Sequence, residues 1–220
     1  MYIIVEEGWS MMTEEENNLV IEIGIKLINF IGNSFDKAND ITELKSVLES
    51  LGFEDQGKRK LGGNNKGIEH DEDRCEKYSC KEKSKGKTIT HRCLGGIYIF
   101  SITGKANVAF NLKCFNKIWE ARTTKNIPLV NQKCSEKYLY VGKDINNLNT
   151  RISNHFGASG GSTYALKLAS KDIIQVVEKY NITCHRFTLK DDFLEYARAG
   201  YIAMIEGILH KKLKPILGRE

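Results

Sequence analysis

The sequence predicts an α+β protein: three short strands interleaved with helices, preceded by a helical N-terminal appendage. Three observations carry this reading. Residues 94–102, LGGIYIFSI, alternate so that Tyr98, Phe100 and Ile102 share one face and Ile97 and Ile99 the other. KYLYVG (137–142) and ITCHRFTL (182–189) are further short runs rich in aromatic and β-branched residues. Between and around them, apolar residues recur at spacings of three and four. A chain of 220 residues, 41% hydrophobic, is long enough for one packed domain with an appendage or for two small domains.

The elements follow in order. Residues 13–31 read as a helix: Thr13 is placed as N-cap, Glu14, Glu15 and Glu16 suit the positive end of the dipole, and Val20, Ile23, Leu27 and Phe30 form a stripe. Asp40 caps a second helix through Leu51, with Leu44, Val47, Leu48 and Leu51 on one face and Gly52 at its end. Neither helix can bury its apolar face alone, so residues 1–53 are expected to pack on the rest of the chain or on a second copy. Residues 54–92 are rich in Lys, Glu, Asp, Gly and Asn and read as a charged linker or a DNA-contacting arm. The domain proper is placed at 93–220.

Within it, residues 104–136 are polar and basic, with a short helix at Phe115, Ile118 and Trp119 and Pro128 as punctuation. Residues 145–157 read as a helix with Leu148, Ile152 and Phe156 inward. Ser162 or Thr163 is a cap for a helix near Tyr164–Ala169. Asp191 or Asp192 caps a long helix to about Lys212, followed by Pro215. Leu194, Ala197, Tyr201, Ile205 and Ile208 form its apolar stripe, with Glu206 beside it. A carboxylate at the edge of a buried face is costly unless it is paired or binds a metal.

Bulk properties narrow the class. The net charge of +5 permits a nucleic-acid partner without requiring one. No secretory signal is expected in MYIIVEEGWS, and the longest apolar run, 19–32, is broken by Glu22, Lys26 and Asn29 and too short to span a bilayer. No membrane partner is expected. The six cysteines contain no CxxC pair and are expected reduced, in a cytoplasmic setting. His70, Cys75, Cys80, His91 and Cys93 are zinc-ligand types, but their spacing matches no common finger.

Two strands carry a glycine-flanked tyrosine: GGIYIF, with Tyr98, and LYVGK, with Tyr140 and Lys143. LNTRISNHF then places Arg151 and His155 one helical turn apart, and YIAMIEGILHKKLKP carries Glu206. In order and residue type these four motifs resemble the GIY-YIG nuclease superfamily, over roughly residues 94–217. The resemblance implies a small three-stranded antiparallel sheet flanked by helices, and metal-dependent hydrolysis of DNA phosphodiester bonds. It assigns Tyr98 to water activation, Tyr140 to assistance or phosphate positioning, and Glu206 to a divalent metal, Mg²⁺ or Mn²⁺. The residue chemistry agrees. A carboxylate-held cation stabilises the departing oxygen, Arg151 can meet phosphate charge with its planar fork, and nearby cations such as Lys143 and Arg151, with His155, lower a tyrosine pKa from about 10.

The chain departs from the family pattern in three places. About forty residues separate Tyr98 from Tyr140, against a hairpin-length connection of about ten. The gap from YVG to Arg151 is one residue longer than usual. The Asn that many members carry after the glutamate is absent beyond Glu206. No P-loop, GxGxxG or strand-borne acidic nuclease motif competes. The expected function is a site-specific endonuclease of duplex DNA, of the type II restriction kind. A homing or phage-borne endonuclease, or a non-catalytic DNA-binding module, is the alternative. Cutting both strands makes a homodimer the expected assembly, with helix 13–31 as the contact.

Overall fold

The computed structural model describes residues 2–5, 8–11, 13–60, 82–84, 87–89, 95–105, 108–146, 148–157, 164–190 and 195–218. The chain forms two compact units, Met1–Val47 and Leu48–Glu220. The zinc-type residues His70, Cys75, Cys80, His91 and Cys93, and the caps proposed at 162–163 and 191–192, lie outside the described residues.

The first unit opens with an antiparallel pair, β1 (Tyr2–Val5) and β2 (Gly8–Met11). Helix α1 (Glu14–Asp36) starts where the sequence puts it. The Thr13 hydroxyl accepts the Glu16 N–H at 3.2 Å, and the Glu16 carboxylate accepts the Thr13 N–H at 2.8 Å, a reciprocal capping box. The helix runs five residues past the expected end at 31. Ile31 and Phe35 are buried, whereas Val20, Ile23, Leu27 and Phe30, the expected inner stripe, are exposed. Helix α2 (Ile41–Ser50) is capped by Asp40, whose carboxylate accepts the N–H groups of Thr42 and Glu43 at 2.8 and 2.9 Å. The boundary between the units falls inside α2, and Gly52, at φ +87°, ends the helix in a conformation that disfavours a side chain.

The second unit is built on a four-stranded antiparallel sheet in the order β3-β9-β6-β8. The strands are β3 (Phe53–Lys60), β6 (Gly96–Gly104), β8 (Tyr138–Asp144) and β9 (Tyr180–Leu189). The short pairs β4 (Glu82–Ser84) with β5 (Lys87–Ile89), and β7 (Leu129–Val130) with β10 (Leu217–Gly218), complete the strands. The expected three-stranded sheet is thus corrected to four. The fourth strand, FEDQGKRK, lies in the stretch read as linker. It has one large apolar residue, Phe53, and a bulge between Asp55 and Lys58 containing Gly57. An edge strand gains its pairing from backbone hydrogen bonds and tolerates charge, so it carries no apolar alternation to read.

Strand β6 is central and buried on both faces: Ile97, Tyr98, Ile99 and Phe100 are all 0% exposed. On the Tyr98–Phe100–Ile102 face lie helices α3 (Leu112–Glu120), α4 (Leu148–Phe156) and α5 (Ile174–Lys179), contributing Phe115, Trp119, Ile152, Phe156 and Val176 to one cluster. Helix α6 (Glu195–Leu213) packs against β8 and β6. It takes the Ile97 face, because Lys143, the ladder partner of Ile97, is bonded to Glu206 on α6. The buried stripe of α6 is Ile202, Ile205, Leu209 and Leu213, rotated from the expected 197–201–205–208 set.

Two further expectations are corrected. No helix forms over 164–169. The N–H groups of Leu166 and Leu168 are spent on His155, at Nδ1 and at its carbonyl, and Lys167 has φ +49°. The 104–136 insertion is not merely a polar excursion. Asn111 caps α3 through Cys114 N–H at 2.9 Å, Phe115 and Trp119 stack at 5.5 Å in the core, and the Trp119 indole N–H donates to the Pro128 carbonyl at 2.9 Å.

Candidate active site

Ladder register explains why the second tyrosine motif needs its glycine. Tyr98 on β6 stands opposite Gly142 on β8, and its ring crosses that position. A Cβ built on Gly142 would lie 2.5 Å from Tyr98 Oη and 2.8 Å from the Tyr140 ring. The absence of a side chain lets the two rings stack at 6.1 Å between centroids, 22° apart. Tyr98 is fully buried, and Tyr140 is partly exposed.

Helix α4 brings His155 and Arg151 to the same two rings. His155 lies 5.1 Å from each tyrosine ring and is 0% exposed. Burial first, and then the Arg151 charge, push its pKa well below 6.5, so it is neutral. Its tautomer follows from its partners. The Leu166 N–H donates to Nδ1 at 3.0 Å, so the ring proton sits on Nε2 and is donated to Tyr98 Oη at 2.8 Å. The Arg151 Nε–H also donates to Tyr98 Oη, at 3.2 Å, while Nη2 donates to the Tyr164 carbonyl at 2.5 Å. Tyr98 Oη therefore receives two N–H donors, one of them cationic, an arrangement that favours a phenolate. Burial acts the other way. It raises the pKa of Tyr98 well above 10, aided by Tyr140 and opposed by Arg151, and it raises that of Tyr140 against the same arginine.

Glu206 arrives from the opposite face. Because β8 is an edge strand, α6 can carry a side chain around it. The Lys143 ammonium at the end of β8 meets Glu206 Oε2 at 2.5 Å, both side chains being partly exposed, at 34% and 24%. The carboxylate also acts electrostatically on Tyr140. Tyr140 and Glu206 line one cavity of about 940 Å³, together with Arg122, Ile127, Tyr164 and His210. Tyr98 and His155 stand behind Tyr140.

All six residues expected from the motifs thus belong to one locality: Tyr98 hydrogen-bonded to His155 and Arg151, Tyr140 packed ring to ring against Tyr98 and His155, and Lys143 and Glu206 as an ion pair beside them. No family model, curated protein or solved structure matches the chain. The chemistry is therefore read from the geometry. Glu206 offers one hard carboxylate to a cavity, and no group of three or more metal-ligating side chains occurs among the described residues. A hard divalent cation fits such a place, since Mg²⁺ commonly takes one or two carboxylates and fills its remaining positions with water and phosphate oxygens.

The motifs gave no sign of several cavity residues. Arg122 and Tyr164 come from irregular segments with no periodic pattern. His210 was legible in principle, one turn after Glu206 on the same helix. The Leu166 N–H, which sets the His155 tautomer, is a backbone group and has no side-chain signature.

Proposed function

We propose that this chain is a metal-dependent endonuclease that hydrolyses phosphodiester bonds at specific sites in duplex DNA, on a GIY-YIG-like fold. The observation that carries the reading is the meeting of the tyrosine cluster and Glu206 at one cavity, reached from opposite faces of the sheet around its edge strand.

A phosphodiester placed in the cavity meets Tyr140 first. The two tyrosine rings stack, and the Arg151 Nε–H is bonded to Tyr98 Oη while the arginine charge acts on both phenols. When the pair loses one proton, His155 Nε2–H and Arg151 Nε–H, which already point at Tyr98 Oη, draw the negative charge there against the burial that opposes it. Tyr140 then donates its own proton to Tyr98 as it accepts one from the attacking water. The hydroxide oxygen forms the new bond to phosphorus, and the bond to the leaving oxygen breaks. Tyr98 is the final base and Tyr140 the group that touches water, a division in keeping with general base catalysis worth about 10²–10⁴-fold. Arg151 positions the pair and favours its ionisation. Glu206 would hold the divalent cation, which supplies phosphate charge neutralisation and stabilises the leaving oxygen. Lys143 holds the Glu206 carboxylate at the cavity edge.

Cutting both strands calls for two such sites, so a homodimer is part of the proposal. The exposed apolar side chains of α1, among them Leu19, Ile23, Leu27 and Phe30, support that helix as its contact.

The test is incubation of the chain with sequence-randomised duplex DNA and Mg²⁺, and sequencing of the ends, beside Glu206→Ala and Tyr98→Phe. Discrete cuts lost in both variants are expected. Binding without cutting would replace the proposal with a non-catalytic DNA-binding module, and random degradation would remove the site-specific part.

A further inference from the structure

One wall of the cavity is supplied by the insertion, and a set of hydrogen bonds fixes it. The Asp172 carboxylate accepts the N–H groups of Thr123 and Thr124 at 2.7 and 2.8 Å and both of their hydroxyls at 3.1 and 2.5 Å. The Lys167 ammonium, on a nearly buried side chain, donates to the Lys125 carbonyl at 2.8 Å. The Ala165 N–H donates to the Asn126 carbonyl at 3.2 Å. Arg122 lies over the Trp119 ring at 5.5 Å and donates to the Trp119 and Pro128 carbonyls.

Asn126 and Lys167 hold left-handed backbones, at φ +55° and +49°. Backbones of this kind are costly for residues other than glycine and persist where the surroundings over-determine them, often at ligand sites. The same bonds register the loop to the chemistry. The segment Tyr164–Leu168 bonds to Asn126 and Lys125 on one side and, through Leu166 N–H, to His155 on the other. A displacement of the loop would thus be passed to the imidazole that supports Tyr98.

We infer that the loop Arg122–Pro128 is a preorganised recognition wall that reads the nucleobase next to the bond to be cut, with Asn126 as its specificity residue and Tyr164 as a stacking surface. The inference rests on the nuclease reading and deepens it. A phosphate at Tyr140 and Glu206 leaves the adjoining nucleotide inside the same cavity, whose roughly 940 Å³ lies within the range of about 300–1,000 Å³ typical of small-ligand sites. Asn126 lines that cavity and is exposed. Its carboxamide offers a donor and an acceptor side by side, the pattern complementary to the N6–N7 edge of adenine. Tyr164, 52% exposed on the same cavity, presents a ring face of the kind on which bases stack. Arg122, held by two carbonyls, adds a fixed positive charge beside the path of the backbone.

The test uses the full chain and two variants. Asn126→Gly removes the carboxamide while keeping the left-handed backbone that glycine adopts freely. Asn126→Asp replaces a donor with an acceptor. Cut ends from a randomised duplex are sequenced, and the affinities of dAMP and dGMP are measured by titration calorimetry. In the wild type an adenine preference is expected at one position beside the cut. Asn126→Gly should relax that preference among the remaining cuts about tenfold or more, and Asn126→Asp should move it toward cytosine, whose N4 donates.

Cutting with an unchanged profile in both variants would overturn the inference and leave the nuclease reading standing. No cutting, but dAMP binding that weakens about tenfold in Asn126→Gly, would uphold the recognition wall and remove the nuclease. Neither cutting nor nucleotide binding would overturn both.

Discussion

His155→Phe tests the core of the site, because it keeps an aromatic ring, somewhat larger, in a buried place and removes the polar atoms. In the wild type His155 is 0% exposed and joins two partners, the Leu166 N–H at Nδ1 and Tyr98 Oη at Nε2. The variant leaves Leu166 N–H buried with no acceptor, at a cost of about 1–3 kcal/mol. Tyr98 loses one of two donors and keeps Arg151, a smaller loss. At pH 7.5 a destabilisation of about 1–3 kcal/mol is expected from urea unfolding.

The pH dependence sharpens the test. The folded-state pKa of His155 is depressed, so the unfolded chain takes up a proton below about 6.5 and the folded protein does not. The stability is fully present above 6.5 and falls as pH drops toward the folded pKa, by about 1.4 kcal/mol per pH unit for this one proton. His185, whose pKa falls to about 4 through burial, then Lys58, adds a slope of the same sign. Between pH 6.5 and 5 the wild type should therefore lose stability through His155. In His155→Phe that share of the slope is gone, so the two stability curves converge as pH falls. Parallel curves from pH 8 to 5, or a pH 7.5 loss under about 0.5 kcal/mol, would refute the buried neutral imidazole.

Other outcomes follow from the same geometry. Gly142→Ala puts a Cβ 2.5 Å from Tyr98 Oη in a packed site, and should cost about 1–3 kcal/mol in urea unfolding together with most of the activity. Tyr140→Phe and Tyr98→Phe should each lower the cutting rate about 10²–10⁴-fold. Because burial raises both phenol pKa values, the wild-type rate should rise with pH through the neutral range and beyond, a rise absent from both variants. Added Mn²⁺ is expected to raise the melting temperature of the wild type and not that of Glu206→Gln, a readout independent of cutting. The wild type is expected to sediment as the proposed homodimer, and Leu27→Glu, at an exposed position on α1, as a monomer of unchanged stability.

Strands β6, β8 and β9 and helices α1, α2, α4 and α6 were legible because each is long or strongly patterned. The caps at Thr13 and Asp40 and the alternation through Tyr98 are local, and local signals survive in a one-dimensional reading. Strand β3 was not legible. FEDQGKRK owes its conformation to the edge of β9, and an edge needs backbone partners rather than apolar side chains. The 164–169 segment failed for the converse reason. Its composition allowed a helix, but its amide groups are taken by His155.

The order of residues alone settles the chemical types of the site: two tyrosines beside glycines, an arginine and a histidine four residues apart, and a glutamate on an apolar helix. It also puts Arg151 and His155 on one helix side, since about 3.6 residues make a turn. The folded chain is needed to choose which tyrosine faces the cavity, which nitrogen of His155 carries the proton, and that Lys143 binds Glu206. Only in the fold does the insertion become a wall of the same cavity. These are consequences of strand register and of contacts between residues distant in the chain, and register is set by the packing of both sheet faces at once.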